Sequence, residues 1–322
     1  MKKLKSIFSI AVIALLLMLA ACESMVTDIP EAKLPKSESK LVVNSVTSPQ
    51  LPYINVIVTE SIPLFTKTDA TGDRIENATV RISDGVQEAT IPFDAKNKLY
   101  SLPQSKFPIS ASKTYALFVS DGKRTVTAKC TVPKQTPVIK SYEIDTLVTS
   151  YALYQDTAVT LKMMWQDIPK DTNYYRTNAV MDIDYTIPVS SDKQDFIEKR
   201  ISDKFEFNWN WELGRNEFIS DNQLDGSLFT SATGRSSLPH AQEKTHSNGK
   251  KVTVYPKTKI TALTMEIYSV DKHYYKYHRS QAIRDNSDSP FTEPTLIYTN
   301  IIGGLGCFGA YNAAQIKLPF AK

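Results

Sequence analysis

Four histidines are the first side chains in this sequence that could do chemistry, because imidazole is a common metal ligand and general base. They are His240, His246, His273 and His278. A zinc-binding helix places two histidines four residues apart, whereas His273 and His278 are five apart. His240 and His246 have no acidic partner at a matching spacing, and no Gly-x-Ser-x-Gly nucleophile motif is present. We therefore expect no metal, no cofactor and no enzymatic activity.

Residues 221–226 are a second group. They include Asp221 and Asp225 and offer several side-chain oxygen atoms within one short stretch. Calcium prefers clustered oxygen ligands, but a helix-loop-helix calcium site needs a bidentate glutamate at its twelfth position. Ala232 stands there, and Gln223 stands at the third position. A capped turn is the simpler interpretation, and calcium is the alternative. Asp182 and Asp184 are expected on the same face of a strand, and a solvent-exposed face accounts for two acidic residues at these positions.

The alternating stretch of residues 205–213 contains four aromatic rings, which are Phe205, Phe207, Trp209 and Trp211. Residues two apart lie on the same face of a strand, so the four rings are expected on one side and polar side chains on the other. Such a row either packs into a core or contacts a sugar ring or a protein partner. Both interpretations stay open, and the four rings are the candidate contact residues.

Cys22 is the remaining reactive side chain, and its context points to acylation. Lys2, Lys3 and Lys5 precede an apolar run that ends at Leu19, as in a secretory signal. The run is shorter than the roughly 20 apolar residues that span a bilayer. Leu-Ala-Ala before the cysteine resembles the bacterial lipoprotein box, in which the cysteine is acylated and becomes the mature N-terminus. We therefore expect a lipid anchor, with an incidental cysteine after an ordinary signal as the alternative.

Composition limits what the mature chain can be. The 322 residues carry a net charge of +4, and three lysines lie in the signal peptide. The nearly neutral remainder argues against nucleic-acid binding, which needs a clustered basic face. Hydrophobic residues make up 42% of the chain, which predicts a packed core. Short alternating stretches are frequent and prolines outnumber glycines, 17 to 11, so the chain is predicted to be mainly β.

The elements that would position these residues fall into four consecutive parts. Asp-Gly pairs at residues 84–85 and 121–122 predict hairpin turns, and residues 271–284 predict a helix that Asp271 caps. The parts are a lipoprotein signal peptide (1–21), a flexible tether (22–40), an immunoglobulin-like β-sandwich (41–135) and a larger β-rich domain with one helix near the C-terminus (136–322).

Two further cysteines remain once Cys22 carries lipid. Cys130 lies on the apolar face of an alternating strand, and Cys307 lies in an apolar run rich in glycine. The compartment outside the inner membrane permits disulfides. Two interpretations therefore stay open. Cys130 and Cys307 either form a disulfide or remain two separate buried thiols.

Several further motifs lie along the mature chain. They are Tyr274-Tyr275-Lys276-Tyr277, Ser289-Pro290-Phe291-Thr292-Glu293-Pro294, residues 298–311, Gln166-Asp167-Ile168-Pro169, Asn173-Tyr174-Tyr175 and residues 220–226. Together they resemble a family of Bacteroidota lipoproteins known as domain of unknown function 4249, and the resemblance covers nearly the whole mature chain.

The resemblance implies an outer-membrane lipoprotein that is surface-exposed rather than periplasm-facing and has no assigned catalytic residues. Such proteins are commonly encoded beside TonB-dependent transporters. We therefore expect a non-enzymatic accessory subunit that binds a ligand of unknown identity for a β-barrel transporter. A stand-alone adhesin for glycans or host surfaces is the alternative. Asp145-Thr146-Leu147 and Asp156-Thr157-Ala158 resemble O-glycosylation acceptors of this phylum, which makes Thr146 and Thr157 candidate modification sites.

Overall fold

The computed structural model describes residues 38–62, 74–150, 155–189, 196–222, 224–246, 248–285 and 296–320. The signal peptide, Cys22 and most of the tether lie outside the described residues. Within them the chain is mainly β with one helix near the C-terminus, which confirms the predicted fold class. None of the described helical residues forms a segment both long and apolar enough to cross a membrane. Residues 40–61 and the described residues from 74 onward belong to one compact unit.

The first eight strands cover the region predicted as a sandwich. They are β1 (Leu41–Thr47), β2 (Tyr53–Glu60), β3 (Thr79–Ser83), β4 (Glu88–Thr90), β5 (Phe93–Asp94), β6 (Leu99–Pro103), β7 (Thr114–Ser120) and β8 (Thr125–Thr131). Both predicted Asp-Gly turns are present, and Gly85 and Gly122 have a φ of 87°. Asp84 and Asp121 accept hydrogen bonds from the backbone N–H groups of their own turns.

The second half of the chain has longer strands and the helix. The elements are β9 (Val138–Ser150), β10 (Gln155–Gln166), β11 (Tyr174–Val189), β12 (Ile197–Glu206), β13 (Phe218–Ser220), β14 (Leu228–Thr230), β15 (Gly234–Ser237), β16 (Gln242–Thr245), β17 (Lys251–Val254), β18 (Lys259–Val270), α1 (Lys272–Asp285) and β19 (Leu305–Pro319). Helix α1 begins as predicted, because Asp271 Oδ1 accepts a hydrogen bond of 2.7 Å from the Tyr274 N–H.

One large sheet joins the two halves of the chain. Its strand order is β12-β11-β18-β19-β1-β2-β6-β5, and β13 also pairs with β11. A second sheet has the order β4-β3-β7-β8, and a third is built on β10, which pairs with β9, β14 and β15. Strands β16 and β17 form a hairpin. The pairing is antiparallel except between β1 and β19.

Strand β19 is shared between the predicted sandwich and the region that follows it. Its first residues pair in parallel with β1, and its later residues pair with β18. The two strands approach closely at Gly306, whose φ is 102° and whose position would bring a Cβ atom to 2.1 Å from the Val43 carbonyl oxygen. Only glycine fits there. Strand β19, the last of the described strands, therefore extends the sheet in which β1 lies.

Two main hydrophobic cores follow from the alternation of buried and exposed residues. The first is filled from both the large sheet and the β4-β3-β7-β8 sheet, and includes Val43, Ile82, Leu117 and Phe308. The immunoglobulin-like arrangement of residues 41–135 stays a prediction. The second core lies between the β10 sheet and strands β11 and β18, and Trp165 is among its fully buried side chains.

Candidate functional site

A cleft of about 800 Å³ lies where three separate segments of the chain meet. Residues 133–135 connect β8 to β9, residues 168–173 connect β10 to β11, and residues 269–272 form the corner between β18 and α1. Four lysines line it, so we call it the lysine cleft: Lys134, Lys170, Lys272 and Lys276. Its volume lies in the range of small-molecule sites, about 300–1,000 Å³.

The charge of the cleft is mainly positive. All four lysines are exposed, and none of them forms an ion pair within the part of the chain that the structure describes. The Lys276 ammonium group lies 5.6 Å from the centre of the Tyr298 ring. Two acidic residues, Asp171 and Asp271, also line the cleft, the first exposed and the second buried. Lysines therefore outnumber acids on its surface.

Two buried carboxylates, those of Asp167 and Asp221, hold the loop of residues 168–173 in place. Asp167 is 2% exposed, and its side chain accepts a hydrogen bond of 2.6 Å from the Tyr175 hydroxyl and one of 2.7 Å from the Gly226 N–H. Asp221 accepts a hydrogen bond of 2.8 Å from the Asn173 N–H. Burial raises the pKa of Tyr175, so its hydroxyl stays a donor. The loop is thereby tied to the turn at residues 221–226.

Lys170 has a backbone conformation that is rare for a residue with a side chain. Its φ is 86°, and its N–H donates a hydrogen bond of 2.8 Å to Asp225 Oδ1. Left-handed conformations cost an L-residue roughly 1–2 kcal/mol, a cost that glycine avoids. The contact with Asp225 helps to hold Lys170 in this strained position on the cleft.

The floor of the cleft contains a carboxyl group with one unused oxygen. Asp271 is 8% exposed; its Oδ1 caps helix α1, and its Oδ2 has no hydrogen-bond partner among the described residues. Burial raises the pKa of this carboxyl to about 7, although the hydrogen bond from the Tyr274 N–H lowers it. The side chain is therefore close to half protonated at neutral pH.

The residues weighed for calcium lie directly behind the lysine cleft. Asp167 lies close to Asp221 and Asp225. One carboxylate oxygen of each of these three residues lies within 4.8 Å of the other two. The hydrogen bonds that these oxygens accept come from backbone N–H groups, from the Tyr175 hydroxyl and from the side-chain amide of Asn173. This is the hydrogen bonding of the capped turn. The sequence did not connect Asp167 with this turn, because more than fifty residues separate them.

The cleft is lined in part by Asn173, Tyr174 and Lys276, which lie in motifs of the family resemblance. A family model described as Domain of unknown function (DUF4249) matches residues 24–317. The chain belongs to the DUF4249 family. No curated protein matches it significantly. A solved structure titled "Biofilm associated protein - BSP domain" matches with 9% identity and a TM-score of 0.19, over 90% of this chain. The chain spans 62% of that structure's length, and so low a TM-score supports no argument.

The aromatic row of this DUF4249 protein does not form one exposed surface. The strand expected over residues 205–213 was wrong in its bounds, because β12 runs from Ile197 to Glu206 and includes only the first two of those residues. Phe207 and Trp209 are 5% and 4% exposed and pack into the second core, with Phe205 partly buried beside them. These three rings therefore have the core role that the sequence left open, and little of them is available to a ligand.

Trp211 differs from the other three rings because it is 55% exposed. The Arg235 guanidinium lies 4.7 Å from the centre of its ring, and Arg235 is also paired with Asp156. A guanidinium over an indole face is a favourable cation–π contact. One exposed ring can offer a single stacking contact, whereas the contact interpretation of the row involved four rings.

The other predicted residues lie apart from the cleft. Thr146 is exposed on β9 and Thr157 is half-buried on β10; the pairing of Val148 with Thr157 places both threonines on the same face of that hairpin. Cys130 and Cys307 are buried free thiols, and burial raises the pKa of each.

Two of the histidines lie in helix α1 and contact aromatic residues. His273 Nδ1 lies 2.6 Å from the Tyr298 hydroxyl, and the His278 ring stacks on Phe218. Burial lowers the pKa of His278 to about 4, so it is neutral at physiological pH. Both histidines have a packing role here.

Strand β9 is an exposed edge of the β10 sheet. In the described parts of the chain it pairs only with β10, over nearly its full length, so its other edge is open. Most of its large apolar side chains are exposed: Val138, Tyr142, Ile144, Leu147 and Val148. Ile144 lies opposite the buried Leu161, which shows that part of this apolar row continues the core face of β10. We call this surface the β9 edge.

Sequence reasoning missed both the lysine cleft and the β9 edge. The cleft lysines come from three segments far apart in the chain, and a single exposed lysine carries no pattern. The order of strands in a sheet, which makes β9 an edge, is not visible in local alternation. The run Val138-Ile139 and the pair Leu147-Val148 were the available signals, because they place apolar residues on both faces.

Proposed function

We propose that this protein is a non-enzymatic lipoprotein of the outer membrane, surface-exposed and anchored through Cys22. Its role is that of a binding accessory subunit of a TonB-dependent nutrient transporter. The lipoprotein box and the family resemblance support the outer-membrane location and the transporter as the partner. The β9 edge is the structural observation that supports a binding role.

The β9 edge has the features of a surface that another protein covers. Thirteen residues in a strand extend for about 43 Å, which is long for an unpaired edge. Proteins usually protect such edges with charges, proline or a covering segment, because free N–H and C=O groups recruit other strands. Here the edge carries charges at Lys140, Glu143 and Asp145, but it also carries five exposed large apolar side chains, including Ile144 and Val148. Strand addition by a β-rich partner would satisfy the hydrogen bonds and bury these side chains.

A second candidate function is that of a stand-alone adhesin for a glycan or a host surface. The exposed Trp211 ring beneath Arg235 favours it, because indole faces stack on sugar rings. This candidate needs no transporter. A glycan array with the wild-type protein and a Trp211→Ala variant would separate the two, because only the adhesin requires that ring.

Affinity purification from detergent-solubilised outer membranes of the native host tests the transporter proposal. We expect the tagged wild-type protein to recover a TonB-dependent β-barrel, and Ile144→Lys with Val148→Lys to lose it, because charges on an edge prevent pairing. Val86→Lys is the matched control, since Val86 is 90% exposed in a turn outside β9. Recovery of no barrel by the wild type, or equal recovery by the edge variant, would contradict the proposal.

A further inference from the structure

Within the part of the chain that the structure describes, the four lysines of the lysine cleft form no ion pair with an acidic side chain, which sets them apart from several other exposed lysines. Lys98 pairs with Glu76 at 2.8 Å, and Lys204 pairs with Asp182. Exposed ion pairs are individually weak, but they do reduce the local positive charge. In the lysine cleft that reduction is small, so positive charges from separate segments converge on one concave surface.

The cleft is also preformed. The loop that carries Lys170 is fixed by the buried Asp167 and Asp221, and the backbone of Lys170 is held by Asp225 despite its positive φ. A site whose groups are positioned before binding loses less entropy when a ligand arrives. Strained backbone conformations are frequent at functional sites, so the positive φ of Lys170 supports a role for its side chain in the cleft.

Helix α1 adds to the positive potential at one wall. It has 14 residues and begins at Lys272, so the positive end of its dipole faces the cleft. Asp271 offsets part of this potential from the floor, Asp171 does so from the rim, and Asp167, Asp221 and Asp225 do so from behind the loop of residues 168–173. Asp271 is buried against the helix start, however, whereas the four ammonium groups are exposed. A ligand that approaches the rim therefore contacts the lysines before it reaches Asp271.

The lining between the lysines is partly apolar. Pro133, Ile168, Pro169 and Val270 form part of it, together with Tyr174, whose ring stacks on Tyr275 at 4.6 Å. Apolar walls with a few placed charges are typical of small-molecule sites, where the walls contact the body of the ligand and the charges fix its orientation. The matching ligand has a compact body and charged groups at its periphery.

We propose that the lysine cleft binds a small ligand that carries two or more carboxylate or phosphate groups, such as an acidic oligosaccharide or a phosphorylated compound. The cleft holds the ligand through Lys134, Lys170, Lys272 and Lys276. This site is distinct from the β9 edge and does not require a transporter. The transporter proposal and the ligand proposal therefore fail separately.

Calorimetric titration of the full mature lipoprotein in a non-ionic detergent tests the site. The probes are trigalacturonate for carboxylates, tripolyphosphate for phosphates and maltotriose as a neutral ligand of similar size. We expect at least one polyanion to bind, with affinity that falls as salt increases, and maltotriose not to bind. The responding probe identifies the anionic group. Absence of binding by both polyanions would overturn the proposal.

A matched pair of double variants locates the binding. We expect Lys170→Gln with Lys272→Gln to weaken polyanion affinity by about tenfold or more, because two charged contacts are lost. Lys106→Gln with Lys123→Gln removes the same charge from exposed positions outside the cleft and should leave the affinity unchanged. Equal weakening by both pairs, or none by the cleft pair, would refute the assignment. Unchanged thermal unfolding of the variants confirms that they are folded.

Discussion

Asp271→Asn is expected to change how the stability of this protein depends on pH. The pKa of Asp271 is raised by burial from 3.8 to about 7 in the folded chain. The folded state therefore binds this proton more tightly than the unfolded state. The contribution of Asp271 to the free energy of unfolding is therefore largest at low pH and is lost as the pH rises from about 4 to above 7. At about 1.4 kcal/mol per pKa unit, the loss between pH 5 and pH 8 is about 3 kcal/mol.

Asparagine isolates this charge because it caps helices about as well as aspartate. The hydrogen bond to the Tyr274 N–H can therefore be kept, while the ionisation is removed. Urea unfolding of the wild type and the variant at pH 5, 6, 7 and 8 would measure the effect. We expect the free energy of unfolding of the variant, relative to the wild type, to rise by about 3 kcal/mol across this range.

Asp84→Asn is the control for the same experiment. The pKa of Asp84 is lowered to about 2, first of all by a hydrogen bond from the Gln87 N–H. Its contribution to stability is present above its unfolded pKa of 3.8 and is lost only as the pH falls towards 2. The Asp84→Asn profile should therefore stay parallel to the wild type between pH 5 and pH 8. A parallel profile for Asp271→Asn as well would refute the reasoning about the buried carboxyl.

Two further outcomes follow from the burial of the aromatic row and from the lipoprotein box. Trp209→Ala should lower the free energy of unfolding by about 3–5 kcal/mol because it opens a cavity in the second core, whereas Trp211→Ala should cost less than about 1 kcal/mol; similar losses in denaturant unfolding would contradict this assignment. Labelled palmitate should enter the wild type and not Cys22→Ser, and the variant should leave the membrane fraction. A variant that stays in the membrane fraction would argue against the anchor.

Local patterns predicted local structure in this chain. The alternating stretch that contains Cys130 predicted β8, and the two Asp-Gly pairs predicted the turns between β3 and β4 and between β7 and β8, because a hairpin depends on adjacent residues. The cap of α1 was predicted for the same reason, since Asp271 and Tyr274 are three residues apart. Strand type and turn position are thus encoded within a few residues, and the mainly β class follows from their number.

Contacts between distant residues were not predictable in this way. The parallel pairing of β1 with β19 joins Asn44 to Cys307, and alternation within either strand is satisfied by many partners. The same limit applies to the aromatic row. Period two correctly groups Phe207 with Trp209, but whether the shared face meets a core depends on β10 and β18.

The lysine cleft and the β9 edge meet at one hairpin, which affects how the two proposals can be separated. Residues 133–135 line the cleft and lead directly into β9, and β10 leads from the hairpin into the loop that carries Lys170. A ligand held between Lys134 and Lys170 would therefore contact the segments at both ends of the hairpin. Any coupling between ligand and partner must be reciprocal, so each would change the affinity of the other by the same factor. Ile144 and Val148 lie within the strand and do not line the cleft, so charges placed there test docking while the ligand site stays intact.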